Sequence, residues 1–172
     1  MVLPLKYYGN PVLRQKGEPV GGITPELTQL IEDMFDTMKE YRGIGLAAQQ
    51  IGKTIQLTVI DIRAVEDRPS TLELNGEETD PHSIMPLVLL NPEIEHLSPE
   101  ENGSEGCLSF PKIYGDISRP GRIRLKALNE KGGTIDFICG GLLSRCIQHE
   151  GDHLHGILFI DRMDREAKAG IK

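Results

Sequence analysis

The sequence predicts an α+β fold, with antiparallel β-sheets packed around a central helix that bears an HExxH motif and an amphipathic helix nearer the N-terminus. Three observations carry this reading: an apolar residue at every third or fourth position over 24–42, short alternating stretches separated by turn residues, and a second helical pattern over 142–155. In the first helix Thr24 can cap, Pro25 stands where a missing N–H does no harm, and Leu27, Leu30, Ile31, Met34, Phe35, Met38 and Tyr41 share a face, with Gly43 as the stop. Ile55, Leu57 and Val59 alternate with polar neighbours, and the apolar run over 85–90 reads as a second strand. Arg122, Arg124 and Lys126 interleave with Ile123, Leu125 and Ala127; turn residues at 129–133 and an alternating return over 134–139 make a hairpin. The second helix follows Gly140 and Gly141 and stops at Gly156. Two acid-rich stretches, 65–82 and 95–106, read as irregular, the first as a solvated excursion in which Glu66, Asp67, Glu73, Glu77, Glu78 and Asp80 face only Arg68.

Composition limits the function classes. A chain of 172 residues, 38% apolar and 26% charged, is expected to fold as a single catalytic domain over 1–172. No window approaches the ~18 apolar residues of a membrane span, and the opening MVLPLKYYGN lacks the pattern of a secretion or import leader. Three cysteines, an odd number, suit a reducing compartment, so a cytoplasmic location is expected. A net charge of −7 argues against extended binding to nucleic acid or anionic lipid.

The chemistry concentrates in His149-Glu150-Gly151-Asp152-His153. Imidazoles four residues apart on a helix project from one face and can chelate one cation, and Glu150 lies beside the first of them, within reach of an activated water. A catalytic centre of this type uses three protein ligands and keeps a position open. Metzincin peptidases would place the third ligand six residues after His153, where Phe159 stands; a later Glu is restricted to Glu166. A thiolate remains: Cys107 in a non-helical segment, Cys139 at the end of a strand pattern, or Cys146 one turn before His149. The run from Gly43 to Ala48 matches a dinucleotide-binding G-x-G-x-x-A, but that fingerprint needs a preceding strand, and here a helix precedes it.

Three blocks, Gly43-Ile44-Gly45-Leu46-Ala47-Ala48-Gln49-Gln50, Glu105-Gly106-Cys107-Leu108-Ser109 and 148–156 around the two histidines, occur in the order of the peptide deformylase family, and the chain resembles that family over nearly its whole length. The resemblance implies Cys107, His149 and His153 as metal ligands and Glu150 as general acid/base. Gln50 and the Leu108 backbone N–H would hold the developing oxyanion, while Gly45 would form a close wall that admits formyl and rejects larger acyl groups. Ile44, Leu142 and Cys146 are candidates for the pocket that takes a methionine side chain. The implied cofactor is one divalent ion per chain, Fe2+ in the cell, with Zn2+ or Ni2+ able to replace it. The implied reaction is removal of formate from N-formylmethionyl nascent peptides: water activated by the ion attacks the formyl carbon, and Glu150 passes the proton to the departing amine.

Three departures accompany the resemblance. The interval between Gln50 and Cys107 is lengthened by the acidic stretch, Arg145 stands where an apolar residue would suit a pocket wall, and the tail sets Arg162, Arg165, Lys168 and Lys172 against Asp161, Asp164 and Glu166. Any ribosome association through that tail is expected to be weak. Asp152 reads as solvated, with Arg119 or Arg122 as alternative partners. Rival readings are a zinc metallopeptidase cutting internal bonds and a non-catalytic metal-stabilised binding module.

Overall fold

Helix α1 (Pro25–Glu40) begins where the sequence marks it: Thr24 accepts a hydrogen bond from the Leu27 N–H at 3.1 Å, with Pro25 in the first turn. The chain, a computed structural model described over residues 1–163, closes this helix with Gly43 N–H donating to the Met38 carbonyl and Arg42 N–H to that of Lys39. Arg42, not the predicted Gly43, takes the left-handed conformation, at φ 57°.

The strands are β1 (Gly45–Ala47), β2 (Leu57–Ile60), β3 (Ser70–Leu74), β4 (Glu77–Thr79), β5 (Leu87–His96), β6 (Glu100–Cys107), β7 (Phe110–Pro120), β8 (Arg122–Leu128) and β9 (Thr134–Gly140), followed by helix α2 (Gly141–His153). Seven of them form one antiparallel sheet in the order β1-β2-β5-β8-β9-β3-β4, and β6 pairs with β7 in a separate ribbon. Antiparallel sheets with few helices are what the sequence predicts.

The apolar run that opens β5 and the burial of every residue of β2 have a direct cause. Leu57, Val59, Val88 and Leu90 pack with Leu27, Ile31, Met34 and Met38 of α1, whereas Ile60, Leu87 and Leu89 pack with Leu142, Leu143, Cys146 and Ile147 of α2. Successive strand residues point to opposite faces, so a sheet covered on both sides buries every position, including Thr58, whose hydroxyl donates to the Leu46 carbonyl at 2.8 Å. Helix α2 is thereby enclosed, with the sheet on one side and the β6–β7 ribbon bonded to it on the other. Its first residue, Gly141, has φ +69°, and a side chain there would overlap the Pro69 carbonyl. Phe110, Ile117, Leu158 and Phe159 form a third buried cluster under the ribbon.

Two stretches expected to be irregular are strands. The acidic segment contains the β3–β4 hairpin, turned by Asn75 (φ 52°) and Gly76 (φ 80°), a two-residue pairing whose left-handed backbone matches the twist of the flanking strands. β3 joins the main sheet through β9, with Leu72 fully buried opposite Cys139, while its acidic neighbours face outward. The 95–106 stretch supplies the end of β5 and most of β6. No helix among the described residues is long and apolar enough to cross a membrane. Asp164, Arg165, Glu166, Lys168 and Lys172 lie outside the described residues.

Because Leu72 anchors the hairpin in the core, Leu72→Ala is expected to lower unfolding free energy by about 2–5 kcal/mol in urea denaturation. Replacing exposed Glu78 with Gln should change it by less than about 0.5 kcal/mol. Equal effects at the two positions would restore the loop reading.

Candidate metal centre and active site

Helical spacing stacks His149 over His153, ring centroids 5.0 Å apart, and the end of β6 brings Cys107 to them: its Sγ lies 3.3 Å from His153 Nε2. One ligand atom from each of the three residues falls within 4.8 Å of the others. The histidines are buried and Cys107 half-buried. Cys146 and Cys139 do not join the set. Cys146 Sγ points to the Ile44 carbonyl at 3.8 Å, and Cys139 sits in the core, where burial pushes its thiol up to about 12.

The residues fit a divalent transition-metal ion. His153 Nδ1 and Glu150 Oε2 are buried with no hydrogen-bond partner among the described residues, and a thiolate with two imidazoles is a borderline-soft donor set. The protein also prepares the site for positive charge. Burial alone would lower the His149 pKa, but neighbouring Cys107 and the hydrogen-bonded Glu105 raise it to about 10, whereas burial and the neighbouring His149 charge push His153 well down. A bound cation would take the place of the proton so held.

Glu105 orients the first histidine. Its Oε1 lies 2.9 Å from His149 Nδ1, which leaves Nε2 facing Cys107 and His153. Arg119 donates to both Glu105 oxygens at 2.6 and 2.9 Å, and Arg145 adds a bond of 2.8 Å. Burial would raise the Glu105 pKa; the bonds from His149 and Arg119 outweigh it and hold the carboxyl down to about 2. Arg119 also donates to Asp152 at 2.8 Å, and Arg162 grips both Asp152 oxygens at 2.6 and 2.8 Å. Asp152 is therefore a paired group within a buried network, correcting the expectation of a solvated one, and Arg122 pairs with Glu73 instead.

The other residues singled out in the sequence converge here too. Burial, with the charge of Glu105 adding to it, raises the Glu150 pKa to about 7 against the pull of His149. Gly45 abuts this carboxylate: a Cβ there would lie 2.9 Å from both Glu150 Cγ and Cys146 Sγ. Gln50 accepts from the Ala47 N–H at 2.9 Å through Oε1, which turns its amide nitrogen toward Cys107 Sγ (3.3 Å) and Ser109 Oγ (3.2 Å). A cleft of 610 Å³ reaches the site, lined by Ile44, Gly45, Leu108, Leu142, Cys146 and Glu150 among others. Arg145 also lines it, but its guanidinium is directed to Glu105 and to the Ile117 and Glu101 carbonyls, so an arginine fits a pocket wall with its charge neutralised. Sequence reasoning offered Arg119 only as an alternative partner of Asp152, a pairing the structure shows, and assigned no role to Glu105 or Arg145; the one available signal was Glu105 two residues before Cys107.

A thiol and two imidazoles around one point, with a buried carboxylate beside them that keeps one oxygen unpartnered and a cleft leading in, define the site of a metal-dependent hydrolase. The chain belongs to the polypeptide deformylase family, whose family model matches residues 2–169. It is 47% identical over 176 residues to the peptide deformylase of Opitutus terrae, covering 99% of this chain and 90% of that protein. It is 43% identical over 172 residues to that of Methylacidiphilum infernorum, covering 100% and 90%. Among solved structures, a peptide deformylase from Synechococcus elongatus in complex with actinonin superposes with a TM-score of 0.84 at 40% identity, covering 98% of this chain and 83% of that one. A Legionella pneumophila peptide deformylase does so with a TM-score of 0.84 at 35% identity, covering 99% and 91%.

Since Glu105 sets the orientation of His149, Glu105→Gln should weaken divalent-metal affinity by roughly 10- to 100-fold in a chelator competition assay. Unchanged affinity would mean that the carboxylate serves the ion-pair network and not the ligand.

Proposed function

We propose that residues 1–172 act as a single catalytic unit that removes the N-formyl group from the formylmethionine of newly made polypeptides in the cytoplasm, releasing formate. The observation that carries this reading is the position of Glu150: its carboxylate is buried beside Cys107, His149 and His153, lines the cleft, and keeps one oxygen unpartnered.

Cys107, His149 and His153 would hold one divalent ion, Fe2+ in the cell with Zn2+ or Ni2+ as substitutes, and its Lewis acidity makes hydroxide available near neutral pH. The chain's own groups do the rest. Glu150, with a pKa near neutrality, takes a proton from the attacking water and returns it to the amine as the C–N bond breaks. The Gln50 amide, fixed by Ala47, and the Leu108 N–H supply donors where negative charge develops on the formyl oxygen. Gly45 limits the space beside the reacting carbon, which favours hydrogen over a methyl group at that position. Ile44, Leu142 and Cys146 offer the methionine side chain an apolar wall. By analogy with the Synechococcus elongatus relative, the cleft is expected to take actinonin in competition with substrate. Ribosome association is weak in this reading, because the tail from Asp161 onward carries nearly balanced charge.

Mass spectrometry of a formyl-Met-Ala-Ser peptide incubated with anaerobically metallated protein is expected to show formate loss alone. Internal cleavage would favour the metallopeptidase. Glu150→Gln should reduce kcat by roughly 10²- to 10⁴-fold while metal content persists. Gln50→Ala should cost about 10²- to 10³-fold. Full activity in Glu150→Gln would falsify the proton-transfer role.

A further inference from the structure

The mouth of the cleft is positively charged on a molecule whose formal net charge is −7. Exposed Arg42, Arg68 and Lys112 line it, and the carboxylates that line it, Glu105 and Glu150, are buried at the metal centre. Glu66 and Asp67 precede Arg68 in the chain but do not line the cleft. Among the described residues every other arginine holds a carboxylate within salt-bridge distance; Arg42 and Arg68 hold none. The hydrogen bond that fixes Arg68, from Nη1 to the Ser104 carbonyl at 3.2 Å, leaves its charge uncompensated.

Backbone conformation gives a second, independent observation. Arg42 (φ 57°) occupies the left-handed position that closes α1, a place where glycine is the least strained choice, and Lys112 (φ 64°) adopts the same conformation in β7. Cationic side chains therefore stand at two strained positions on the rim of one cleft. Strain retained at a binding site is the expected trade of stability for function.

We propose that Arg42, Arg68 and Lys112 form a cationic collar that makes formylated chains carrying Asp or Glu just after the formylmethionine the preferred substrates. This rests on the deformylase reading. The collar residues line the cleft that reaches the metal-ligand set, so carboxylates just downstream of a formylmethionine seated there would meet the unpaired guanidinium and ammonium groups. It also attracts acidic chains through longer-range potential in low salt.

The test compares formyl-Met-Glu-Glu-Ser with formyl-Met-Gln-Gln-Ser, using metal-loaded protein at about 0.05 M and about 0.5 M salt. The collar predicts a kcat/KM ratio favouring the glutamate peptide by roughly three- to tenfold at low salt, the range that one or two exposed ion pairs supply. That ratio should fall toward one at high salt and in an R42Q/R68Q/K112Q variant. Arg42→Gly separates specificity from folding: the ratio should drop while Tm does not, because glycine suits the left-handed backbone. A ratio near one in the wild type, or one unchanged in the triple variant, overturns the collar. Failure to deformylate either peptide would overturn the deformylase reading, and the collar with it.

Discussion

The site depends on one buried carboxylate. Glu105, on β6, binds His149 on α2 and is itself held by Arg119 from β7 and Arg145 from α2. Cys107 is two residues further along β6, so the contact that aims the imidazole also sets the distance between the thiol and the histidine helix. Removing one member of a buried, hydrogen-bonded charge network leaves the others desolvated and unpaired, at a cost of about 3–5 kcal/mol. Ligand geometry and local stability are thus coupled through the same atoms.

Around that contact the fold supplies rigidity. Helix α2 has almost no solvent-facing side: its early residues pack into the seven-stranded sheet and its later ones carry the chemistry against the ribbon. Helix α1 seals the opposite face of the same strands, so β2 and β5 cannot shift without disturbing two cores at once. His149 and His153 keep their spacing on a regular helix, while Cys107 closes β6 just past a register shift in its pairing with β7, the kind of irregularity that re-aims a side chain. The glycines at 45 and 141 serve this close packing, one by admitting Glu150 and the other by admitting the Pro69 carbonyl.

The electrostatics divide into two zones. At depth, burial and hydrogen bonding separate the carboxylates by environment: Glu105 is held ionised by its cationic partners, while Glu150 is raised to a pKa suited to accepting and returning a proton. At the surface, an acidic molecule presents a basic rim to whatever enters. A single chain can hold both because the low-dielectric interior makes local partners decisive, whereas solvent screens the rim charges from the buried site.

The HExxH spacing, the face of α1, the β8–β9 hairpin and the alternation in β2 follow from local rules of periodicity and turn chemistry, and those parts of the fold were legible in the sequence. So was the pairing of Cys107 with the two histidines, through the order of the three blocks. Other features were obscured for physical reasons. Glu73 on β3, Glu77 and Glu78 on β4 and the acids flanking the hairpin hid the buried Leu72 and outweighed the Asn75-Gly76 turn signal, and β6 is so rich in Glu, Gly and Asn that it carries no apolar alternation. Asp152 looked solvated because its partners Arg119 and Arg162 are distant in the chain or beyond the motif. The sequence by itself determined which groups can ligate and transfer protons, since side-chain chemistry and helical spacing are local properties. Only the tertiary structure decided which carboxylate holds the His149 ring, which carboxylate stays buried with an unpartnered oxygen and which arginines hold no carboxylate, because burial and partnership arise when distant segments meet.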